Sequence, residues 1–256
     1  MELGQVPGAD GSLTMMSDVS ARRFGRLFGR RSPFPTERDW ERAVLLEPRP
    51  ASYDPDLVSE GAGLPFPPAA LGAPARRLEA NDPAVAALIA VIARQKTPTG
   101  RAPVHAIDGW RVLARSDDEV LFAHGLPPDL VTVAIRRQGR RQTWTPAAVS
   151  KARPLRATRD GIRASGWRLD PTREPDPQDT VLRVLVTEQT WAGGSRADTR
   201  LLAPDLHVGA DELVLTMFVT PRPGFQVRAP NPETPARVAL PEPIGRRQLI
   251  DGALYE

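Results

Sequence analysis

The pattern of apolar positions predicts one helix near residue 83. Asp82 can cap its N-terminus, and Pro83 fills the first helical position, where proline is favoured. The turn-forming stretch 97–100 ends the element. The apolar side chains that share one helical face between these signals are Val85, Leu88, Ile89 and Ile92. We therefore expect a helix over about residues 83–96.

Beyond this helix the apolar positions alternate over short runs, which is typical of β-strands. Residues 109–114 and 119–123 flank a polar turn and predict a hairpin. Residues 130–135 alternate in the same way, and a turn at 138–140 leads to a further strand at 142–144. Additional strands are expected at 162–169, 181–188, 212–220, 238–240 and 248–250.

The segment 212–220 has apolar side chains on both faces, so we expect it at the centre of a core. Strands at fairly regular spacing, without helices between them, argue against a doubly wound parallel sheet. The expected fold class is mainly β: an antiparallel β-sandwich or paired sheets, with one N-terminal helix and an extended N-terminal arm.

Three segments are expected along the chain: a basic N-terminal arm at 1–46, a proline-rich linker or strap at 47–78, and a β-rich domain at 79–256. The domain divides into halves at about 79–169 and 178–256, on either side of a proline-rich joint. Seven prolines in the strap argue against helix and central strand there. Apolar residues among them suggest that the strap lies along a surface.

The arm contains an amphipathic pattern, with Phe24, Leu27 and Phe28 on one helical face. The arginines on the opposite face are Arg22, Arg23, Arg26 and Arg30. Two glycines each weaken such a helix by about 1 kcal/mol relative to alanine, so it would need a partner surface to persist. Three alternatives stay open: an arm that is solvated or packs on its own domain, docking onto another protein, and binding to a membrane or a nucleic acid.

The 256 residues include no cysteine, which excludes disulfides and thiolate chemistry. The first residues lack the pattern of a secretory leader, and no apolar run is long enough to span a membrane. We therefore expect a cytoplasmic protein.

Charge is unevenly distributed along the chain, although the net charge is only +3. The stretch 136–168 has ten basic residues and one acidic residue, and Trp144 and Trp167 within it could stack on bases. Its candidate partner-binding residues are Arg136, Arg137, Arg140 and Arg141. An acidic protein surface, a nucleic acid and a soluble basic face without a partner are the open alternatives.

No sequence motif points to a catalytic or ligand-binding centre. His105, His124 and His207 lie in separate segments without the spacing of metal ligands. Ser195 lacks the flanking pattern of a nucleophile elbow, and no glycine-rich phosphate loop occurs. We expect no catalytic, cofactor-binding or metal-binding residues.

Three short motifs stand in the last third of the chain. Val186-Thr187-Glu188 ends a strand-like run, Asn231-Pro232 follows, and residues 242–247 read Glu-Pro-Ile-Gly-Arg-Arg. The chain resembles, most strongly over about 178–252, an uncharacterised actinobacterial domain family found mostly in secreted proteins and lipoproteins. That family has no established activity.

The resemblance also implies a contact between two side chains. Trp191 and Arg228 stand where family members have two cysteines, and a disulfide there would bring the two positions together. An arginine stacked on the indole would contribute about 0.5–2 kcal/mol in place of the bridge. The alternative has Trp191 in the core and Arg228 directed to solvent.

Glu188 and Glu242 each follow a strand within these motifs, and Arg246 or Arg247 is a candidate partner for one of them. We expect a structural ion pair that ties down the C-terminus. Catalytic carboxylates are the alternative.

These patterns favour a non-enzymatic interaction or structural component of a larger protein assembly, which docks through its arm and strap. A cytoplasmic module that binds a polyanion such as nucleic acid, through the basic stretch 136–168, is the alternative. An enzyme of unrecognised type comes third. The expected partner is another protein or assembly, without a membrane span and without a cofactor.

Overall fold

The residues described by a computed structural model form two β-sheets. The structure describes residues 34–52, 54–59, 63–74, 78–94, 107–151, 154–190, 192–227 and 229–255. Its helices are α1 (Glu37–Arg42), α2 (Ala69–Gly72) and α3 (Pro83–Arg94). The strands are β1 (Val44–Leu46), β2 (Arg49–Pro50), β3 (Leu57–Val58), β4 (Trp110–Arg115), β5 (Glu119–His124), β6 (Val131–Gln138), β7 (Thr143–Lys151), β8 (Leu155–Arg159), β9 (Ile162–Leu169), β10 (Val181–Thr187), β11 (Asp205–Val208), β12 (Glu212–Phe218), β13 (Thr234–Ala239), β14 (Gln248–Asp251) and β15 (Leu254–Tyr255). The predicted mainly β class with paired sheets is confirmed.

The smaller sheet is an antiparallel meander, β4-β5-β6-β7. Both predicted hairpins are present, and the helix expected at 83–96 is α3. Asp82 caps it, since the backbone N–H of Ala84 donates to the Asp82 carboxylate at 2.8 Å. The apolar face of α3, including Leu88, packs on one face of the sheet against Phe122 and Ile135. Burying this stripe keeps the helix in place.

The larger sheet runs in the order β1-β13-β10-β9-β12-β11-β2, with β14 beside β12 and with β8 joining β3, β9 and β15. Strands β1, β10, β11, β12 and β13 contribute to one core, in which Val184 and Val186 of β10 pack with Leu215 and Met217 of β12. The predicted central strand is confirmed as β12, where Phe218 on the opposite face is also buried.

Three strand pairs in the larger sheet are parallel, and the sequence pattern did not predict them. They are β1 with β13, β2 with β11, and β14 with β12. In the first two pairs, the segment before the meander returns to strands far along the chain. Such pairing requires a long connection, which a local pattern of apolar residues does not reveal.

The strap contributes directly to the folded core. Leu57, Phe66 and Leu71 are buried and pack with Leu121 of the meander and Leu155 of β8, so the strap lies between the two sheets. The four-residue helix α2 is an exception to the helix-free strap that we expected. Its preceding residue, Pro68, stands at the N-terminal end, where a missing backbone N–H is tolerated.

Residues 34–46 are also part of the fold. A capping box between Thr36 and Asp39 starts α1, and Trp40 is buried against Leu185. Arg183 of β10 holds this helix through two hydrogen bonds to Glu37, at 2.7 and 2.9 Å. These bonds lower the pKa of Glu37.

The predicted amphipathic helix with Phe24, Leu27, Phe28 and the arginines around them lies outside the described residues. Its docking role therefore stays a prediction. Within the described ranges, no helix is long and apolar enough to cross a membrane.

Candidate functional site

A short loop after β12 presents two apolar side chains to solvent. Phe225 is 97% exposed and Val227 is 68% exposed. Solvent exposure of a whole phenyl ring is unfavourable, since burial of a phenylalanine side chain gains about 1.5–3 kcal/mol. Burial of Phe225 and Val227 against another surface would recover this free energy, so the loop is a candidate contact surface.

This loop has internal and external hydrogen bonds that fix its shape. Arg222 donates to the carbonyl oxygen of Ala192 at 3.1 Å and to the Ser195 hydroxyl at 2.9 Å. The Gln226 amide donates to the carbonyl oxygen of Pro223 at 2.8 Å. Gly224 has φ +81°, a backbone conformation that glycine adopts without strain. These bonds give the loop that carries Phe225 a defined shape.

The second candidate is a cleft of about 610 Å³ between the strap and the larger sheet. The turn after β2 forms one wall, β11 and β12 form the floor, and the end of β14 with β15 forms the other wall. The polar side chains that line it are Ser52, Asp205, His207, Thr216, Asp251 and Tyr255. Its size and mixed lining are typical of sites for small molecules.

The negative charge of Asp205 in this cleft is compensated by an arginine side chain. Arg159 of β8 forms an ion pair with it and donates to the carbonyl oxygen of Ala203 at 2.9 Å. The guanidinium also lies 4.2 Å from the centre of the Phe218 ring. The negative charge of Asp205 is therefore matched within the protein, and Arg159 is fixed by three contacts.

Asp251 has a different environment. Its carboxylate accepts the backbone N–H of Ala253 at 2.9 Å, but burial raises its pKa. The hydrogen bond from Ala253, hydrogen bonds from Trp167 and the positive charge of Arg156 lower this pKa, but burial has the larger effect. Gly252 next to it lies so close to Thr216 that an added Cβ would stand 2.2 Å from the Thr216 hydroxyl oxygen. The turn that carries Asp251 is thus packed tightly against β12.

The two predicted motif carboxylates have structural contacts. Glu188 is buried, and both its oxygens accept from Arg200, at 2.7 and 2.6 Å. Glu242 is exposed and accepts from Arg247. Of the two candidate arginines, Arg247 and not Arg246 pairs with Glu242, because the turn at 244–246 directs Arg247 back to this carboxylate. Sequence reasoning missed Arg200, which lies in a turn with no motif around it.

Asn231 of the Asn-Pro motif ties two segments together. Its side-chain oxygen accepts the N–H of Ala192 at 3.0 Å, and its amide donates to the carbonyl oxygen of Glu188 at 3.0 Å. The predicted contact between Trp191 and Arg228 lies outside the described residues and stays a prediction.

The basic stretch is only partly available to a partner. Arg136 donates to Glu119 at 2.9 and 2.7 Å, and Arg137 lies 4.9 Å from the centre of the Trp144 ring. Arg140 and Arg141 are exposed in the turn between β6 and β7. Two of the four predicted arginines therefore have partners within the meander, and two point outward at its tip.

Comparison with known proteins adds no relative, since no protein-family model, no curated protein and no solved structure matches this chain. The resemblance to the actinobacterial family stays a prediction. Over the ranges that the structure describes, no group of three or more His, Asp or Glu side chains is placed to hold a metal ion.

Proposed function

We propose that the protein is a non-enzymatic interaction component of a larger assembly, and that the loop bearing Phe225 docks into an apolar pocket of a partner protein. The observation that carries the proposal is the exposure of Phe225 and Val227 on a loop with a fixed base. Rigid aromatic anchors account for a large share of binding energy at interfaces.

The ordered shape of the loop supports this function. A partner that binds a preformed loop avoids much of the entropy cost of ordering it. Arg222 attaches the loop to the segment at Ala192, which Asn231 in turn fixes to Glu188. The loop that carries Phe225 is therefore attached, through Ala192 and Asn231, to the segment that follows β10.

Burial of the strap side chains favours the loop at Phe225 over the strap as the docking surface. The large apolar residues of the strap, such as Phe66, face the core of this chain, so the strap offers them to no partner. We retain the arm as a second contact, supported by its amphipathic sequence. A cytoplasmic location belongs to the same proposal and is supported by a sequence without cysteine.

The contacts of Asn231 support descent from the resembled family. Asn231 of the Asn-Pro motif contacts Ala192 and Glu188, so two of the three sequence motifs lie side by side in the fold. We propose the relationship on this ground together with the three sequence motifs.

Polyanion binding is the second candidate function. It is supported by Arg140 and Arg141, which are exposed together at the tip of the meander. Binding of this kind weakens steeply as salt is added, whereas an apolar contact through Phe225 does not.

Photo-crosslinking from position 225 tests the proposal. A photoreactive phenylalanine analogue at Phe225 should form one discrete crosslink to a different protein in the native source. The same analogue at Leu126, which is 55% exposed on the meander, is the matched control and should not form it. Equal crosslinking from both positions, crosslinking only to a second copy of the chain, or none at all would contradict the proposal.

A further inference from the structure

We propose that the cleft lined by Thr216 binds a small uncharged molecule, an apolar body that carries a hydroxyl group. This binding site is separate from the loop at Phe225 and does not rest on the docking function proposed for that loop. It is assigned from the cavity, from the compensation of its charges within the protein, and from hydroxyl groups that lack a hydrogen-bond partner among the described residues.

The floor of the cleft is one face of three neighbouring strands. In the antiparallel pair β11–β12, Asp205 lies opposite Thr216 and His207 lies opposite Val214. Val214 also lies beside Ile250 of β14. Side chains alternate between the two faces of a sheet, so these five side chains share the face that lines the cleft. The leucines of β12 that lie next to them in sequence face the core of the larger sheet.

The walls of the cleft are held by backbone hydrogen bonds. On one side, the N–H of Ala51 donates to the carbonyl oxygen of Leu206 at 3.0 Å, and on the other, the N–H of Gly252 donates to that of Leu215 at 3.0 Å. The volume between the walls is about 610 Å³, within the range of about 300–1,000 Å³ that is typical of small-molecule pockets. Backbone pairing therefore defines the shape of the site without a ligand.

The two carboxylates of the cleft are compensated within the protein. Arg159 forms an ion pair with Asp205. Asp251 accepts the backbone N–H of Ala253 at 2.9 Å, and the positive charge of Arg156 also acts on it. A cationic ligand would lose its hydration and meet carboxylates that already have partners, and an anionic ligand would meet like charge. A net charge on the ligand is therefore unfavourable with either sign.

The polar groups that remain for a ligand are hydroxyls. The side chains of Ser52, Thr216 and Tyr255 line the cleft, and over the described ranges their hydroxyl groups form no hydrogen bond. Thr216 is only 7% exposed, and polar groups as buried as this are nearly always hydrogen-bonded. A ligand hydroxyl can donate to the Thr216 oxygen or accept from it, and so supplies the partner.

The apolar lining surrounds the rest of the ligand. Leu57, Val214, Ile250 and Leu254 contribute side chains to the cleft. Burial of an aromatic or aliphatic body against them provides the driving force for binding, and the hydrogen bond to Thr216 orients the ligand.

The test compares 2-phenylethanol with phenethylamine and 3-phenylpropionate, a cation and an anion with the same ring and linker at neutral pH. Titrations of the full chain monitored by protein NMR should show that the alcohol shifts signals of Val214 and Ile250. The alcohol should bind at least about tenfold more tightly than either ion. Thr216→Val, which replaces the hydroxyl with a methyl group, should weaken alcohol binding by about three- to tenfold. Thr143→Val, at the exposed start of β7, is the matched control and should leave it unchanged.

A second variant keeps the test independent of the folding of the Thr216 variant. Ser52 is exposed at the rim, and Ser52→Trp should block the cleft and reduce alcohol binding without disturbing the core. Phe225→Ala should have no effect on alcohol binding, which separates this site from the docking loop. Absence of binding, an affinity for either ion that equals or exceeds that for the alcohol, or unchanged alcohol affinity in both cleft variants would overturn the proposal.

Discussion

At the scale of single residues, Asp251 links the cleft to the pH dependence of stability. Burial raises its folded-state pKa above the unfolded value of about 3.9, so the folded state binds the proton more tightly than the unfolded state does. This side chain therefore favours folding at low pH, and its contribution is lost as the pH rises through the folded-state pKa.

Asp251→Asn should remove this pH-dependent loss of stability, because asparagine does not titrate. We expect the stability of the variant relative to the wild type to increase as the pH rises from about 4 towards 7. Urea unfolding of both proteins at several pH values measures the difference. A constant difference across this range would show that the folded and unfolded pKa values of Asp251 are equal.

Glu188 and Arg200 provide a second prediction at this scale. Because the carboxylate is buried and accepts two bonds from the guanidinium, Glu188→Gln should lower the free energy of unfolding by about 2–4 kcal/mol. Glu174→Gln, at an exposed position, is the control and should change it by less than about 0.5 kcal/mol. Equal unfolding midpoints in urea would argue against the buried pair.

The same pair shows what the sequence could predict at the residue level. Glu188 was identified because a strand-like run leads into it and a motif surrounds it. Its partner was not, since Arg200 reaches it from a turn twelve positions later, and the chain offers many arginines of equal local character. Which of these arginines pairs with Glu188 depends on the tertiary fold. The exposure of Phe225 was missed for the same reason.

At the scale of elements, the turn between β14 and β15 packs closely against β12. A Cβ on Gly252 would stand 2.2 Å from the Thr216 hydroxyl oxygen and 2.9 Å from a Val214 methyl carbon. Gly252→Ala should therefore destabilise the protein by about 1–3 kcal/mol. The matched control is Gly72→Ala in α2, where an added Cβ meets no atom within 4 Å. Thermal unfolding of the two variants should separate them clearly.

The elements that the sequence predicted are those with local signals. The helix α3 has a capping residue, a proline at its start and a continuous apolar face, and the β4–β5 and β6–β7 hairpins have turns between alternating runs. The strands β1, β2 and β3 lack such signals. They have two or three residues each and are defined by pairing with β13, β11 and β8. Short strands of this kind depend on non-local partners.

At the scale of the whole molecule, the described residues between 34 and 78 belong to the fold, although the composition of this segment suggested an arm and a strap. Trp40 and Phe66 are each 1% exposed, and β1 extends the larger sheet. Deletion of residues 1–33 keeps every described contact and serves as the reference for a longer deletion. Deletion of residues 1–46 should lower the unfolding midpoint markedly, because Trp40 and Leu46 leave the core.

Thermal unfolding of the two truncated chains and of the full chain measures the three midpoints. Similar midpoints for all three would mean that β1 and α1 contribute little to the folded core. A large loss on removal of residues 1–33 alone would mean that the first segment also packs on the domain.

Affinity purification from the native source, with the full chain as bait, tests the interaction function most directly. We compare the wild type with Phe225→Ala and with Leu126→Ala, and treat each sample with nuclease. The account predicts one stoichiometric protein partner that the wild type and Leu126→Ala retain and that Phe225→Ala loses. Equal recovery by Phe225→Ala, or recovery of nuclease-sensitive material alone, would contradict it.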